Sequence, residues 1–204
     1  MKSPVPELRW DACRRIGFLP AEPNGIYDEA YFDHYVACED TPIGRTLNRA
    51  RVELVDRHVN PLELVVDVGI GAGSFIKARG KRPTHGFDVN PAGVRWLQER
   101  SLWRDPYTEP APILTFWDSL EHIEDPAEIL VRSGARTAFV SMPVYADRGA
   151  VLRSKHFKPG EHLWYFTAAG LEGWFRELGF ELREWNQMES EAGREGIDTF
   201  VFSR

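Results

Sequence analysis

Cysteine is scarce. Cys13 and Cys38 are the only two in 204 residues, and they form no C-x-x-C pair. A disulfide framework and a zinc site built on cysteine pairs are both disfavoured, and reduced thiols are expected. No apolar run approaches the roughly 20 residues that a membrane span needs. The opening stretch "MKSPVPELRWDACRRIGFLP" carries charges and prolines where a secretory signal would carry its apolar segment. The expected setting is therefore the cytoplasm, with no membrane partner. Surplus positive charge is lacking too. A net charge of −6 repels a phosphate backbone at long range, so nucleic acid is disfavoured as a partner and a local basic patch is the one route to it. His34 and Cys38 stand four apart in a helical stretch, but two ligands do not make a site, so no metal is expected.

What is present is alternation. Residues 1–40 read as an irregular, Pro-rich and partly helical cap, in which Tyr27, Tyr31 and Tyr35 recur every fourth position on one side of a helix. They form either a lid or an ordinary packing stripe. From residue 41 to 204 the pattern is that of one α/β domain. "TPIGRTLNRARVELVDRHVN" is a helix with Thr41 as N-cap, Pro42 in its first turn and an apolar face of Ile43, Leu47, Ala50 and Leu54. "LELVVDV", "HGFDV", "PILTFWD" and "TAFVSMP" read as strands, separated by helices stopped at Gly80 and Gly134 or capped by Asn90 and Asp125. The helix "TAAGLEGWFRELG" and two last strands, "FELREWNQM" and "IDTFVFSR", follow a period-free segment from Val144 to Tyr165. The sum is a doubly wound, mostly parallel sheet with an antiparallel edge hairpin at the C-terminus, a form that binds ligands beyond the carboxyl ends of its strands.

The stretch "LVVDVGIGAGSF" then carries the chemistry. A continuous apolar strand ends at Asp67, and three glycines, Gly69, Gly71 and Gly73, occupy alternate positions in the turn that follows. Missing side chains let backbone N–H groups meet a ligand closely, although a tight turn alone would also use glycine. Asp88 ends the second strand, where a carboxylate can accept from both hydroxyls of a ribose. A nicotinamide dinucleotide would want G-x-G-x-x-G, and here the third glycine comes one residue early.

These residues resemble the class I S-adenosylmethionine-dependent methyltransferases. Asp67 with Gly69, Gly71 and Gly73 matches their first-strand loop, Asp88 their second-strand acid, and "TFWDSLEHIEDP" the fourth-strand L-E-H and D-P of the small enzymes that act on ubiquinone precursors. The resemblance implies a Rossmann-like fold and S-adenosylmethionine as cofactor. It also implies that the glycine loop cradles the methionine part, Asp67 orients its amino group, Asp88 clamps the ribose, and Asp118, Ser119 and Leu120 flank the adenine or the methionine tail. One departure stands out: "SLWRDPYTEPA" is too short for the family's third strand and helix, so that strand is reduced or missing, with Trp103, Asp105 or Tyr107 near the adenine, or Trp103 as plain core.

For the transfer itself, His122 is a candidate base, or else holds its loop by hydrogen bonding. "RSKHFKPGEHLWYFT" gathers His156, Glu161, His162 and Tyr165 as further candidates, and "HLWYFT" resembles the family's H-x-x-x-F-T lead into its helix. The structural alternative has Thr167 as N-cap and His162 simply hydrogen-bonded. Arg153, Lys155 and Lys158 either recognise an anionic acceptor or decorate a solvated surface. Arg194 and Glu195 either face the same cleft or decorate a hairpin, with the hairpin favoured, and Arg45 and Arg49 are either partners for the cofactor carboxylate or exposed. The implied activity is methyl transfer to a small-molecule or sugar-like hydroxyl or an amine. The alternatives are a nucleic-acid methyltransferase and a non-catalytic scaffold that binds the cofactor.

Overall fold

The computed structural model describes residues 7–20, 28–39 and 41–204. Two short strands come first, β1 (Arg9–Asp11) and β2 (Ile16–Phe18), followed by helices α1 (Glu29–Glu39) and α2 (Pro42–His58). The alternating part runs β3 (Val65–Val68), α3 (Ser74–Arg79), β4 (Thr84–Phe87), α4 (Pro91–Glu99), β5 (Ile113–Trp117), α5 (Pro126–Arg132) and β6 (Thr137–Pro143). A 3-10 turn at Leu120–His122 separates β5 from α5. Then come α6 (Arg148–Arg153), β7 (Trp164–Phe166), α7 (Ala168–Glu177), β8 (Glu181–Asn186), α8 (Met188–Glu191) and β9 (Ile197–Ser203). Among the described residues no helix is long and apolar enough to cross a membrane.

The main sheet has six strands in the order β4-β3-β5-β6-β9-β8. The first four are parallel, and β9 enters antiparallel between β6 and β8. The C-terminal hairpin is thus the antiparallel edge of the sheet, with β9 lying against β6 and β8 outermost, which explains why "IDTFVFS" is buried along nearly its whole length while β8 alternates exposed and covered. The reduced third strand survives as one bridge. Gly86 N–H donates to Leu102 O at 2.9 Å, Arg104 N–H donates to Gly86 O at 3.0 Å, and no further ladder follows beyond β4.

Both faces of the sheet are covered, and the side-chain alternation of β3 separates them. Val66 and Val68 join Ile129 and Leu130 of α5 and Leu171, Trp174 and Phe175 of α7. Val65 joins Val52, Leu54 and Val55 of α2 and Phe75 of α3. Phe175 stacks on Phe202 at 3.9 Å between ring centroids, and burying a phenyl ring of this kind contributes about 1.5–3 kcal/mol. The capping residues act as their sequence implies. Thr41, Asn90 and Thr167 each accept a backbone N–H of the helix that follows, and Asp125 accepts two. Glu128, at the capping-box position, pairs with Arg132 one turn on at 2.8 Å instead.

The N-terminal segment is not irregular where it is described. β1 and β2 pair antiparallel, and β2 pairs with β7, so that residues read as a loop, Val144 to Tyr165, supply one strand of a three-stranded sheet. Leu8, Leu19, Tyr145, Val151 and Tyr165 form its small core. Short strands of three residues carry too weak a period to be read without their partners. Leu19 N–H donates to Leu163 O at 2.8 Å, so this sheet fixes the chain on either side of Trp164.

Candidate functional site

At the carboxyl ends of β3, β4 and β5 lies a crevice of about 720 Å³. Its floor is the glycine turn. Gly69 has φ +77°, and a Cβ there would stand 2.6 Å from the Ser119 Cβ, a distance real atoms do not adopt. Ser119 in turn donates its hydroxyl to Val68 O, so the two loops at the ends of β3 and β5 are in direct contact. Gly73, at φ +76°, is pressed against the Trp96 ring and does not line the crevice. Of the three glycines, Gly69 and Gly71 face the space, and close packing within the chain is by itself reason enough for Gly69 and Gly73.

Asp88 stands at the opposite wall. Its Oδ2 accepts from Ile70 N–H at 2.9 Å and its Oδ1 from Asn90 N–H at 2.7 Å. Burial pushes the carboxyl above the usual aspartate range, against the pull of those backbone donors. Gly93 makes the room for it: a Cβ there would lie 3.1 Å from the Asp88 Cγ. Asp67 is buried at the crevice floor and accepts from Thr115 Oγ1 at 2.7 Å. Phe32 and Tyr35 of α1 form part of the roof, and Tyr107, packed edge-on against Phe87, forms part of the wall. Tyr27 lies outside the described residues.

Trp103 and Asp105 do not reach the crevice: Trp103 packs on Phe87, and Asp105 closes a turn by accepting from Tyr107 N–H at 2.9 Å. Leu120 is likewise absent from the wall. It is fully buried in the core beside α5, because the 3-10 turn points it inward while Asp118 and Ser119 face the space.

Asp118 has φ +56°, a left-handed conformation for a non-glycine residue, and it is held by Arg194 and Arg51. Arg194 Nη1 lies 2.6 Å from Asp118 Oδ2 and also pairs with Glu189, whose side chain is 0% exposed. Arg51 reaches the same Glu189 at 2.6 Å and covers the Trp117 ring, 5.0 Å from its centroid. Burial works against the Arg194 charge, but Asp118 and Glu189 beside it raise its pKa further. Arg194 is thus part of the crevice wall rather than hairpin decoration. Arg45 and Arg49 line a different surface depression with Asp56 and Ser74.

Of the residues considered for the transfer, His122 alone lines the crevice. Burial lowers its pKa, and its ring hydrogen-bonds the Glu161 backbone. Directly behind it, His162 meets His122 edge-on at 4.7 Å between centroids, and burial together with His122 pushes the His162 pKa down to about 2. Both imidazoles are neutral near pH 7. Tyr165 belongs to the small core and donates its hydroxyl to His162 O, so it does not meet an acceptor. His156 hydrogen-bonds Glu195 O at 2.9 Å. Lys155 pairs with Glu195, and Lys158 with Glu161, at exposed or half-buried positions away from the crevice.

The comparisons with known proteins agree with this architecture. A family model described as a methyltransferase domain matches residues 43–184. No curated protein sequence matches at a significant level. Among solved structures, a chain of the complex between the Haloferax volcanii Trm112 methyltransferase activator and a putative methyltransferase is 16% identical. It covers 85% of this chain and 96% of its own, with a TM-score of 0.61. The magnesium protoporphyrin IX methyltransferase of Synechocystis PCC 6803, solved with bound SAH, is 16% identical over 88% of this chain and 97% of its own, TM-score 0.59. A possible histamine N-methyltransferase of Thermotoga maritima is 12% identical over 86% and 97%, TM-score 0.57.

Proposed function

The chain belongs to the methyltransferase domain family, and we propose that it transfers the methyl group of S-adenosylmethionine to a small-molecule or sugar-like acceptor at oxygen or nitrogen. The cofactor fits the residues present. A polar floor and one apolar, aromatic wall in a space of about 720 Å³ suit a nucleoside with an amino-acid tail. The carrying observation is Asp88. Backbone N–H groups of Ile70 and Asn90 each donate to one of its oxygens and that of Val89 adds to them, and a carboxylate offers about four acceptor sites in all, so accepting capacity remains for the crevice side. A vicinal diol is the group such a carboxylate holds best.

When bound, the cofactor supplies a methyl carbon on a sulfonium, open to in-line displacement. The chain's own contribution is alignment, which for well-oriented pairs can supply on the order of 7–11 kcal/mol of the barrier. Asp88 holds the ribose, the Gly71 backbone and Asp67 hold the amino-acid part, and Phe32 and Tyr35 shut out water above. The acceptor then meets the methyl group at the His122 end. Exposed acids pair with Lys155 and Lys158, which favours a small acceptor over a nucleic-acid backbone. Calorimetric titration of S-adenosylhomocysteine into the protein, with Asp88→Ala as partner experiment, tests the reading: one site and a loss of affinity in the variant support it, and absence of heat with folded wild type refutes it.

A further inference from the structure

Glu121 is 1% exposed, and neither of its carboxylate oxygens has a hydrogen-bond partner among the described residues. A buried carboxyl group ordinarily pairs, hydrogen-bonds or coordinates a metal, since water is no longer there to solvate it. Two imidazoles stand next to it. His122 Nε2 lies 3.9 Å from Glu121 Oε1, and one ligand atom from each of Glu121, His122 and His162 can be chosen so that all three lie within 4.8 Å of one another. Nitrogen and oxygen ligands of a divalent transition ion sit about 2.0–2.2 Å from it, so modest side-chain adjustment brings all three onto one ion.

The three residues come from two segments, the 3-10 turn at Leu120–His122 and the stretch before β7, which the backbone stitches together. Leu163 N–H donates to Glu121 O at 2.8 Å, and Trp164 Nε1 donates to Ile123 O at 2.9 Å. One nitrogen of His122 is engaged by the Glu161 backbone, the kind of contact that fixes the ring of a metal-binding histidine. The site is thus built before any ion arrives. His122 belongs both to this cluster and to the crevice wall.

We propose that Glu121, His122 and His162 bind one divalent transition-metal ion, and that its remaining coordination positions face the crevice and take an oxygen of the methyl acceptor. Two imidazoles and one carboxylate suit Zn²⁺, Mn²⁺, Fe²⁺ or Co²⁺. They do not suit Ca²⁺ or Mg²⁺, which prefer all-oxygen shells, or Cu⁺, which prefers sulfur. The ion's charge offsets the buried carboxylate. An acceptor hydroxyl bound to it gives up its proton to solvent water, as metal-bound water does near neutral pH, and presents an anionic oxygen to the methyl carbon. The acceptor class narrows from hydroxyl or amine to hydroxyl. This last step rests on the methyltransferase reading, whereas the metal site itself does not.

The test uses chelator-treated, refolding-free wild-type protein titrated with Co²⁺, followed by visible absorption, and with Zn²⁺ and Mn²⁺ by calorimetry. The expected result is one equivalent bound, with a ligand-field spectrum of nitrogen and oxygen ligands and a rise in melting temperature. Glu121→Gln and His162→Gln each weaken binding by at least about tenfold, while His34→Ala and Cys38→Ala leave it unchanged. Titration of S-adenosylhomocysteine into the same variants separates the two claims, because cofactor affinity should persist when metal is lost. No binding of the three ions to folded wild type would overturn the proposal, whatever the variants do. So would a thiolate-to-cobalt band that vanishes in Cys38→Ala, which would move the ion to the His34–Cys38 pair.

Discussion

Asp88 Oδ2 accepts the Ile70 N–H at 2.9 Å, and this one bond ties the end of β4 to the middle of the glycine loop after β3. The carboxylate therefore shapes the loop, and on the proposed reading it also offers its remaining lone pairs to the cofactor.

Replacing Asp88 should be costly for binding. A hydrogen bond to a charged group is worth about 1.5–3 kcal/mol, so losing two to a ribose weakens S-adenosylhomocysteine binding by about 100-fold or more in Asp88→Ala. Asp88→Asn should lie between, because one oxygen survives as acceptor. Calorimetry measures both, and equal affinities for wild type and Asp88→Ala would count against the ribose assignment.

The same group predicts a pH dependence. Burial raises the Asp88 pKa above its ordinary 3.8, so on acidification the carboxyl protonates earlier than an exposed aspartate would. On the proposed reading the ionised form accepts from the ribose hydroxyls and the protonated form does so less well. Cofactor affinity should thus be full above the raised pKa and decline as pH falls through it. A series of titrations at decreasing pH checks this, with circular dichroism to confirm that the protein stays folded. An affinity that rises on acidification would have the wrong sign.

Gly69 and Gly80 both sit at positive φ, but only Gly69 has a neighbour in the way of a Cβ. Gly80→Ala should cost about 1–3 kcal/mol for its positive-φ backbone, and Gly69→Ala a backbone cost of that order plus the displacement of Ser119. Urea denaturation gives the two values. Equal losses would show that the loop after β5 yields without cost.

Much of this was legible before any coordinates. Continuous apolar strands, Gly80 and Gly134 as stops, Asn90, Thr41 and Thr167 as caps and the short stretch after α4 gave the element order and the reduced third strand, because each signal is local. What local signals miss is pairing. β1 and β2 are three residues each, and β7, the second partner of β2, lies about 150 residues away. Arg51 was readable in principle. It stands four residues after Leu47 and three before Leu54, on the buried face of α2, and an arginine there needs an acid. That the acid is Glu189 depends on tertiary structure. Glu121 and His122 were visible as neighbours in "SLEHI", but only the bonds from Leu163 and Trp164 to the 3-10 turn bring His162 to them.

The Arg51–Glu189–Arg194–Asp118 network makes a stability prediction. Glu189 is fully buried, so removing its carboxylate leaves two guanidiniums sharing Asp118 alone. Glu189→Ala should lose about 3–5 kcal/mol, and Arg51→Met combined with Glu189→Met should lose less than the sum of the single changes. A double-mutant cycle by chemical denaturation measures the coupling, and additive losses would mean that the pair contributes independently.

The most direct measurement is a crystal structure of the protein with S-adenosylhomocysteine. The account predicts the ligand over the carboxyl ends of β3 and β4, its ribose hydroxyls within hydrogen-bonding distance of Asp88 and its sulfur turned toward His122. A ligand seated elsewhere, or an Asp88 carboxylate that makes no contact with the sugar, would contradict it.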